Sequence, residues 1–209
     1  MGMAIQTFEY CSLYYLNQWL KYDRGYCDAL SGNDNDRKVS ALKKAAGFYR
    51  VARNLRTEDK EASRYQPVLD ILDSIDPKKF KGDQNKNIVD EIKNVESRIS
   101  KIYGGRNVLS LTTKFLWLKV KSPIVIYDSQ AREAVGAKNN DLDDYYEKWK
   151  DQFDNYEKKI ESACSKLPDM HLYAVNHEAG TKKYIIEHSS EPWFSERVFD
   201  IYLWHKGTK

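Results

Sequence analysis

One lysine and one aspartate, fourteen residues apart, are the residues of this sequence best suited to chemistry. Lys114 stands in the stretch Thr113–Val120, whose apolar residues predict a short helix opened by the lysine. Asp128 follows the extended apolar run Ile124–Tyr127 and precedes the helical pattern Gln130–Val135, as a helix N-cap does. We expect the two charged groups to be brought to facing helix ends.

A lysine and a carboxylate together suit the cleavage of an N-glycosidic bond. Three apolar residues follow Lys114 directly, namely Phe115, Leu116 and Trp117. Partial desolvation would lower the ammonium pKa from about 10.4 toward the range in which a neutral amine can attack. The Asp128 carboxylate could stabilise positive charge on the sugar or move protons to and from the amine. Two other interpretations stay open: Lys114 as a surface lysine or phosphate contact, and Asp128 as a helix cap alone.

Two runs within the segment Lys101–Gly136 carry a resemblance to a known family. Leu111-Thr112-Thr113-Lys114 and Ile124-Val125-Ile126-Tyr127-Asp128 resemble the lysine and aspartate segments of the helix-hairpin-helix DNA glycosylase superfamily, in particular its 8-oxoguanine glycosylase branch. The family's hairpin usually reads L-P-G-V-G, whereas this chain has Leu109-Ser110-Leu111-Thr112-Thr113. The resemblance covers about a sixth of the chain and implies a compact, divergent member.

The resemblance implies that the chain is a DNA N-glycosylase with AP-lyase activity in base-excision repair. Lys114 would form a Schiff base with the sugar, and Asp128 would assist. The implied partner is double-stranded DNA carrying an oxidised or otherwise modified base, such as 8-oxoguanine, which such enzymes flip into a pocket. We expect a monomer that needs no cofactor. Weaker candidates for contacts with the DNA backbone lie in and around the lysine segment: Lys101, Arg106, Thr112, Thr113, Lys119 and Lys121.

Charge is unevenly distributed along the chain, although its net value is only +3. Arg37–Arg64 has nine basic and three acidic residues, a balance of +6, and Lys101–Lys121 has five basic residues and no acidic one. Asp141–Glu161 has eight acidic residues and four lysines, a balance of −4. The two basic stretches could follow a phosphate backbone if they share a face. Ordinary solvated helix faces are the alternative.

Hydrophobic spacing of three to four residues predicts a mainly α fold with minor extended segments. We expect one domain over residues 1–209, with a catalytic core at 88–136 and a helical closure at 141–209. The predicted helices are Thr7–Leu20, Val39–Leu55, Pro67–Leu72, Ile88–Ile102, Thr113–Val120, Gln130–Val135, Asp141–Cys164 and a last one from Pro192 to Trp204. The predicted irregular or extended segments are Gly25–Asp36, Lys81–Lys86, His171–Val175 and Tyr184–Ile186.

Several classes of protein are disfavoured by composition. No apolar run approaches the roughly 20 residues that cross a bilayer, so no membrane span is expected. Met1–Tyr10 lacks the pattern of a secretory signal, which favours the cytoplasm. The spacing of the histidines and of Cys11, Cys27 and Cys164 fits neither a metal site nor a disulfide framework. We therefore expect no metal, and reduced, buried thiols.

Two further functions remain open. A module of the same fold could bind DNA or protein without catalysis, for instance in a bacterial antiviral defence system. Alternatively, the chain could be a structural protein whose partner meets the acidic helix Asp141–Glu161. Selection of a base in such pockets depends on a few hydrogen bonds from loops.

Overall fold

The computed structural model describes residues 7–55, 64–80, 85–175 and 177–207. Within these ranges the chain forms α-helices and no β-strand, which confirms the mainly α prediction. The ten α-helices of the described ranges are α1 (Phe8–Gln18), α2 (Arg24–Ser31), α3 (Asn35–Phe48), α4 (Gln66–Asp73), α5 (Asn85–Ile102), α6 (Leu109–Val120), α7 (Ser129–Val135), α8 (Leu142–Cys164), α9 (Thr181–His188) and α10 (Pro192–Gly207). Shorter helical segments are a π-helix at Trp19–Asp23 and 3-10 helices at Ala52–Leu55, Pro77–Phe80 and Leu167–Tyr173.

The chain divides into two compact units. The central unit is Tyr22–Tyr127 and contains α2 to α6. The terminal unit combines the residues up to Lys21 with those from Asp128 onward, and contains α1 and α7 to α10. Lys114 therefore belongs to the central unit and Asp128 to the terminal unit. That residues 1–209 act as one domain stays a prediction.

Short polar side chains start several of the helices. The side chains of Thr7, Asp34, Asp128 and Asp141 each accept a hydrogen bond from a backbone N–H two or three residues later, at 3.0–3.2 Å. Each bond satisfies an N–H that has no partner inside its own helix. The predicted starts at Asp128 and Asp141 are confirmed, because both residues are N-caps.

Three segments predicted to be irregular or extended are helical instead. The predicted loop Gly25–Asp36 is wrong over its first half, where α2 buries Cys27, Ala29 and Leu30. Tyr184–Ile186 lies inside α9, and most of His171–Val175 lies in a 3-10 helix. In α2, burial of Cys27, Ala29 and Leu30 outweighs the polar composition of the segment.

Two helix boundaries also differ from the prediction. The helix predicted at Thr113–Val120 begins four residues earlier, at Leu109, because Leu109 and Leu111 are buried with the rest of α6. The helix predicted at Val39–Leu55 ends at Phe48, and Arg50 then adopts a left-handed backbone with φ of 56°. Parts of three predicted segments fall outside the described residues: 1–6 of the N-terminus, 56–63 of the basic stretch and 81–84 of the break before α5.

No helix of the described ranges is long and apolar enough to cross a membrane. Cys11, Cys27 and Cys164 are all buried, and none of the three is in a disulfide bond. Burial raises the pKa of the Cys11 and Cys164 thiols to about 12, which keeps both in the unreactive protonated form. The cysteines therefore belong to the packed interior, as the sequence indicated.

Candidate active site

The turn between α5 and α6 sets the start of the lysine-bearing helix. Gly104 and Gly105 have φ values of 76° and 71°, a backbone conformation that glycine adopts without strain. The N–H of Gly105 donates to the Ser100 carbonyl at 2.8 Å, which closes the end of α5. The Val108 N–H then donates to a Glu96 carboxylate oxygen at 3.2 Å. A side chain of α5 thus satisfies one of the free N–H groups at the start of α6.

Lys114 lies in the second turn of α6 and is almost completely buried. Its exposed fraction is 4%, so the interpretation of Lys114 as a surface lysine is wrong. Its Nζ donates to the Ser110 hydroxyl at 2.6 Å, four residues earlier on the same helix, and to the Tyr127 carbonyl at 3.4 Å. A serine hydroxyl and a backbone carbonyl of the central unit are therefore among the groups that hold the ammonium.

Thr113 fixes the same backbone segment from the adjacent position of α6. Its hydroxyl oxygen accepts a hydrogen bond from the Tyr127 N–H at 3.0 Å and donates to the Leu109 carbonyl at 3.2 Å. Tyr127 is therefore held at its N–H by Thr113 and at its carbonyl by Lys114. Tyr127 is the residue that immediately precedes Asp128 in the chain.

The segment that leads to Tyr127 reverses direction after α6. Lys121 has φ of 65°, an unfavourable conformation for a residue with a side chain. The Ile124 N–H donates to the Lys121 carbonyl at 2.9 Å, and the run Ile124–Tyr127 is buried. Burial explains why this apolar segment without regular secondary structure packs against α6.

Asp128 begins α7 in the terminal unit. Its carboxylate accepts a hydrogen bond from the Gln130 N–H at 3.0 Å, and the residue is partly exposed. α7 ends at Gly136, which adopts the left-handed conformation with φ of 70°. The cap fixes the side-chain rotamer of Asp128. Capping and a chemical role are compatible, because the second carboxylate oxygen has further lone pairs for a proton or a cation.

Asp200 on α10 is a buried carboxylate whose charge interacts with that of Asp128. Asp200 accepts hydrogen bonds from Trp149 Nε1 at 2.9 Å and from Arg197 at 2.8 Å. Burial raises the pKa of Asp200; Arg197 and Trp149 oppose this shift, and the negative charge of Asp128 adds to it. The terminal unit therefore contains an internally paired carboxylate beside the one that caps α7.

The six candidate contacts with the DNA backbone fall into different environments. Lys101 and Arg106 are exposed at the turn before α6, whereas Lys121 is half-buried. Lys119 is half-buried too, and its Nζ donates to Asp73 at 2.8 Å and to the Leu30 carbonyl at 3.1 Å.

Thr112 and Thr113 are wrong as candidates, because both have an exposed fraction of 0% and cannot reach a phosphate. The run Leu109–Thr113, aligned with the family's hairpin, lies inside α6.

The sequence analysis missed the roles of Ser110 and Asp200, and it assigned Thr113 to the DNA backbone instead of to Tyr127. Ser110 and Thr113 hold Lys114 and Tyr127, and Asp200 lies close enough to Asp128 for their charges to interact. The four-residue spacing of Ser110 and Lys114 was a readable signal, since such residues are neighbours on a helix. Asp200 gave no local signal, because it lies seventy-two residues after Asp128.

The described residues contain no group of three His, Cys, Asp or Glu side chains placed to hold a metal ion. Comparison of the chain with models of protein families, with curated proteins and with solved structures gave no match.

Proposed function

We propose that this chain is a lysine-dependent DNA N-glycosylase with AP-lyase activity that removes an oxidised or otherwise modified base. The observation that carries the proposal is the buried Lys114 ammonium, held by the Ser110 hydroxyl and by the carbonyl of Tyr127, the residue before the helix-capping Asp128. A buried amine suits a nucleophile, because burial favours the neutral form of an amine and the neutral form is the one that attacks. The resemblance of both segments to the glycosylase family supports the same chemistry.

The reaction starts with the neutral Lys114 amine. The amine attacks C1′ while the C1′–N bond breaks, and the bonding pair leaves with the base, which takes up a proton. The attached nitrogen gives up a proton, for which Asp128 is the proposed acceptor. Opening of the sugar ring then breaks the C1′–O4′ bond, protonates O4′ and leaves an iminium between Lys114 and C1′. Loss of a C2′ proton expels the 3′ phosphate, and water releases the lysine.

Borohydride trapping tests this function directly. The intact chain is incubated with duplexes carrying 8-oxoguanine, uracil, an alkylated base or an abasic site, and the reduced covalent adduct is measured. We expect an adduct on at least one duplex and none with Lys114→Gln. Lys183→Gln is the control, because Lys183 is an exposed lysine of α9 that belongs to no proposed contact with DNA. Absence of both adduct and base release on every duplex would refute the proposal.

The exposed turn before α6 supplies the proposed contact with the phosphate backbone. Arg106 lies in this turn and Lys101 in the last turn of α5 just before it, and both are exposed near Gly104 and Gly105. We expect the double variant Lys101→Ala/Arg106→Ala to bind duplex DNA more weakly at low salt and to reduce the slope of log affinity against log salt by about 2. Fluorescence anisotropy over a salt series measures both. An unchanged slope would remove this turn from the interface.

A non-catalytic binding module is the second candidate function. It is favoured by the position of Leu109–Thr113, which forms a buried part of α6 where the family has a glycine hairpin. Under this alternative, DNA binding is salt-dependent and is unaffected by Lys114→Gln and by Asp128→Asn. The two candidates therefore separate in one binding and trapping experiment.

A further inference from the structure

The last turn of α10 contacts the first turn of α7 within the terminal unit, and the contact requires that residue 207 is a glycine. A Cβ atom built on Gly207 would lie 2.0 Å from the Gln130 carbonyl oxygen and 2.6 Å from its carbonyl carbon. Both atoms belong to the backbone, so no side-chain rotation could relieve the overlap. Position 207 therefore tolerates only glycine if this packing is kept.

The contacted carbonyl belongs to Gln130, the residue whose N–H holds the Asp128 carboxylate. Gln130 donates its N–H to the Asp128 carboxylate at 3.0 Å. Its backbone also forms part of the first turn of α7, which Asp128 caps. A displacement of Gln130 by the last turn of α10 would therefore move the donor that sets the orientation of the carboxylate.

We propose that Gly207 is a positioning residue for Asp128: it lets the end of α10 pack on the Gln130 backbone and so fixes the carboxylate. The inference rests on the proposed function for its catalytic meaning, but the placement of the carboxylate can be tested without it. Displacement of a catalytic group by about 1 Å can lower a rate by about a hundredfold. Gly207 touches no reacting atom in this account and acts through Gln130.

Gly207→Ala is the direct test, and Gly47→Ala is its matched control. Gly47 also lies near the end of a helix, and a Cβ atom built on it meets nothing within 4 Å. Heteronuclear NMR spectra would follow the Gln130 amide and the Asp128 carboxyl carbon in the intact protein. We expect both signals to shift in Gly207→Ala, with amide exchange at Gln130 about fivefold faster, and neither to change in Gly47→Ala.

A double-variant cycle separates positioning from a general loss of structure. The single-turnover trapping rate should fall between about tenfold and a hundredfold in Gly207→Ala. The same substitution should have no further effect when Asp128 is already asparagine, because both changes then act through one carboxylate. Equal losses in the two backgrounds would overturn the proposal.

A second variant covers the possibility that Gly207→Ala does not fold. A chain ending at Lys206 removes the contact without adding bulk, and we expect it to shift the same Gln130 and Asp128 signals. Unchanged signals in this variant would overturn the positioning role. If the wild-type chain traps no DNA, the proposed function fails, whereas the NMR result still decides whether Gly207 positions the carboxylate.

Discussion

Two helices, one in each unit, bury charged side chains and compensate them in different ways. On α6 of the central unit, the Lys114 ammonium donates to a serine hydroxyl and a backbone carbonyl. On α10 of the terminal unit, Arg197 and Asp200 form an ion pair at 2.8 Å, and the Trp149 indole donates to the same carboxylate. The exposed fractions are alike, 4% for both cations and 6% for Asp200.

The chemistry of the two cations, Arg197 and Lys114, separates a structural charge from one that can take part in a reaction. Arg197 stays charged inside a protein, and removal of its side chain would leave an uncompensated carboxylate in the interior, which is costly. Burial of an ammonium group favours its neutral form, and the neutral amine is the form that attacks, so the buried Lys114 suits chemistry. We therefore infer structure for the pair on α10 and chemistry for the lysine on α6.

The largest expected effect comes from removing each cation in turn. Arg197→Met should lower the free energy of unfolding at neutral pH by about 3–5 kcal/mol, because it leaves Asp200 buried without its cation. Lys114→Met should cost less, about 1–3 kcal/mol, because it leaves the Ser110 hydroxyl and the Tyr127 carbonyl without this donor. Urea denaturation of both variants measures the difference.

The pH dependence of Arg197→Met has a defined sign. Burial already raises the pKa of Asp200, so the folded state holds its proton more tightly than the unfolded chain does. Stability therefore falls as pH rises from the unfolded value of about 3.9 through the folded pKa, and the penalty in Arg197→Met should shrink again in acid. Equal losses in Arg197→Met and Lys114→Met would contradict the contrast between the two helices.

The sequence predicted the helices of this chain better than the interactions of their polar residues. Apolar spacing located α5, α8 and α10, because an amphipathic stripe is a local pattern. The same spacing missed α2, which depends on burial of a few small residues. The burial of Lys114 was only partly readable: apolar neighbours suggested it, but the start of the helix at Leu109 placed the lysine one turn deeper than expected.

Two adjacent threonines of α6 differ in their hydrogen bonds, and the difference tests how α6 holds Tyr127 beside Lys114. Thr113→Val leaves the buried Tyr127 N–H without its acceptor and should cost about 1–3 kcal/mol. Thr112→Val removes a buried hydroxyl that has no hydrogen-bond partner in the described part of the chain, so it should be neutral or slightly stabilising. Both substitutions keep the shape of the side chain. Thermal or urea unfolding compares them directly.

The same pair also reports on Lys114. Because Thr113 fixes Tyr127, whose carbonyl accepts from Lys114, Thr113→Val should slow borohydride trapping about tenfold, while Thr112→Val should leave it unchanged. Similar losses of stability in both valine variants would mean that the hydrogen bond from the Tyr127 N–H to Thr113 adds no stability of its own. The sequence alone does not distinguish the two threonines, because only Thr113 meets the backbone N–H of Tyr127, where the chain packs back against α6.

The smallest expected loss of stability comes from the half-exposed ion-pair cluster around Asp73 in the central unit. Lys38 and Lys119 each donate to one Asp73 oxygen at 2.8 Å. Burial alone would raise the pKa of Asp73, but the two lysines outweigh it and lower the pKa below its usual value. Asp73→Asn should therefore cost less than about 1 kcal/mol, because water screens a carboxylate with a third of its surface exposed.

The pH dependence of that loss distinguishes Asp73 from Asp200. A lowered folded pKa means that Asp73 stabilises the folded state fully above its unfolded pKa of about 3.9, and that this contribution disappears as pH falls through the folded pKa. The stability difference between wild type and Asp73→Asn should be constant from about pH 5 to 7 and vanish in stronger acid. A difference that grew on acidification would show that Asp73 behaves like the buried Asp200. In that case Asp73 would belong with the buried ion pair of α10 rather than with the solvent-screened charges.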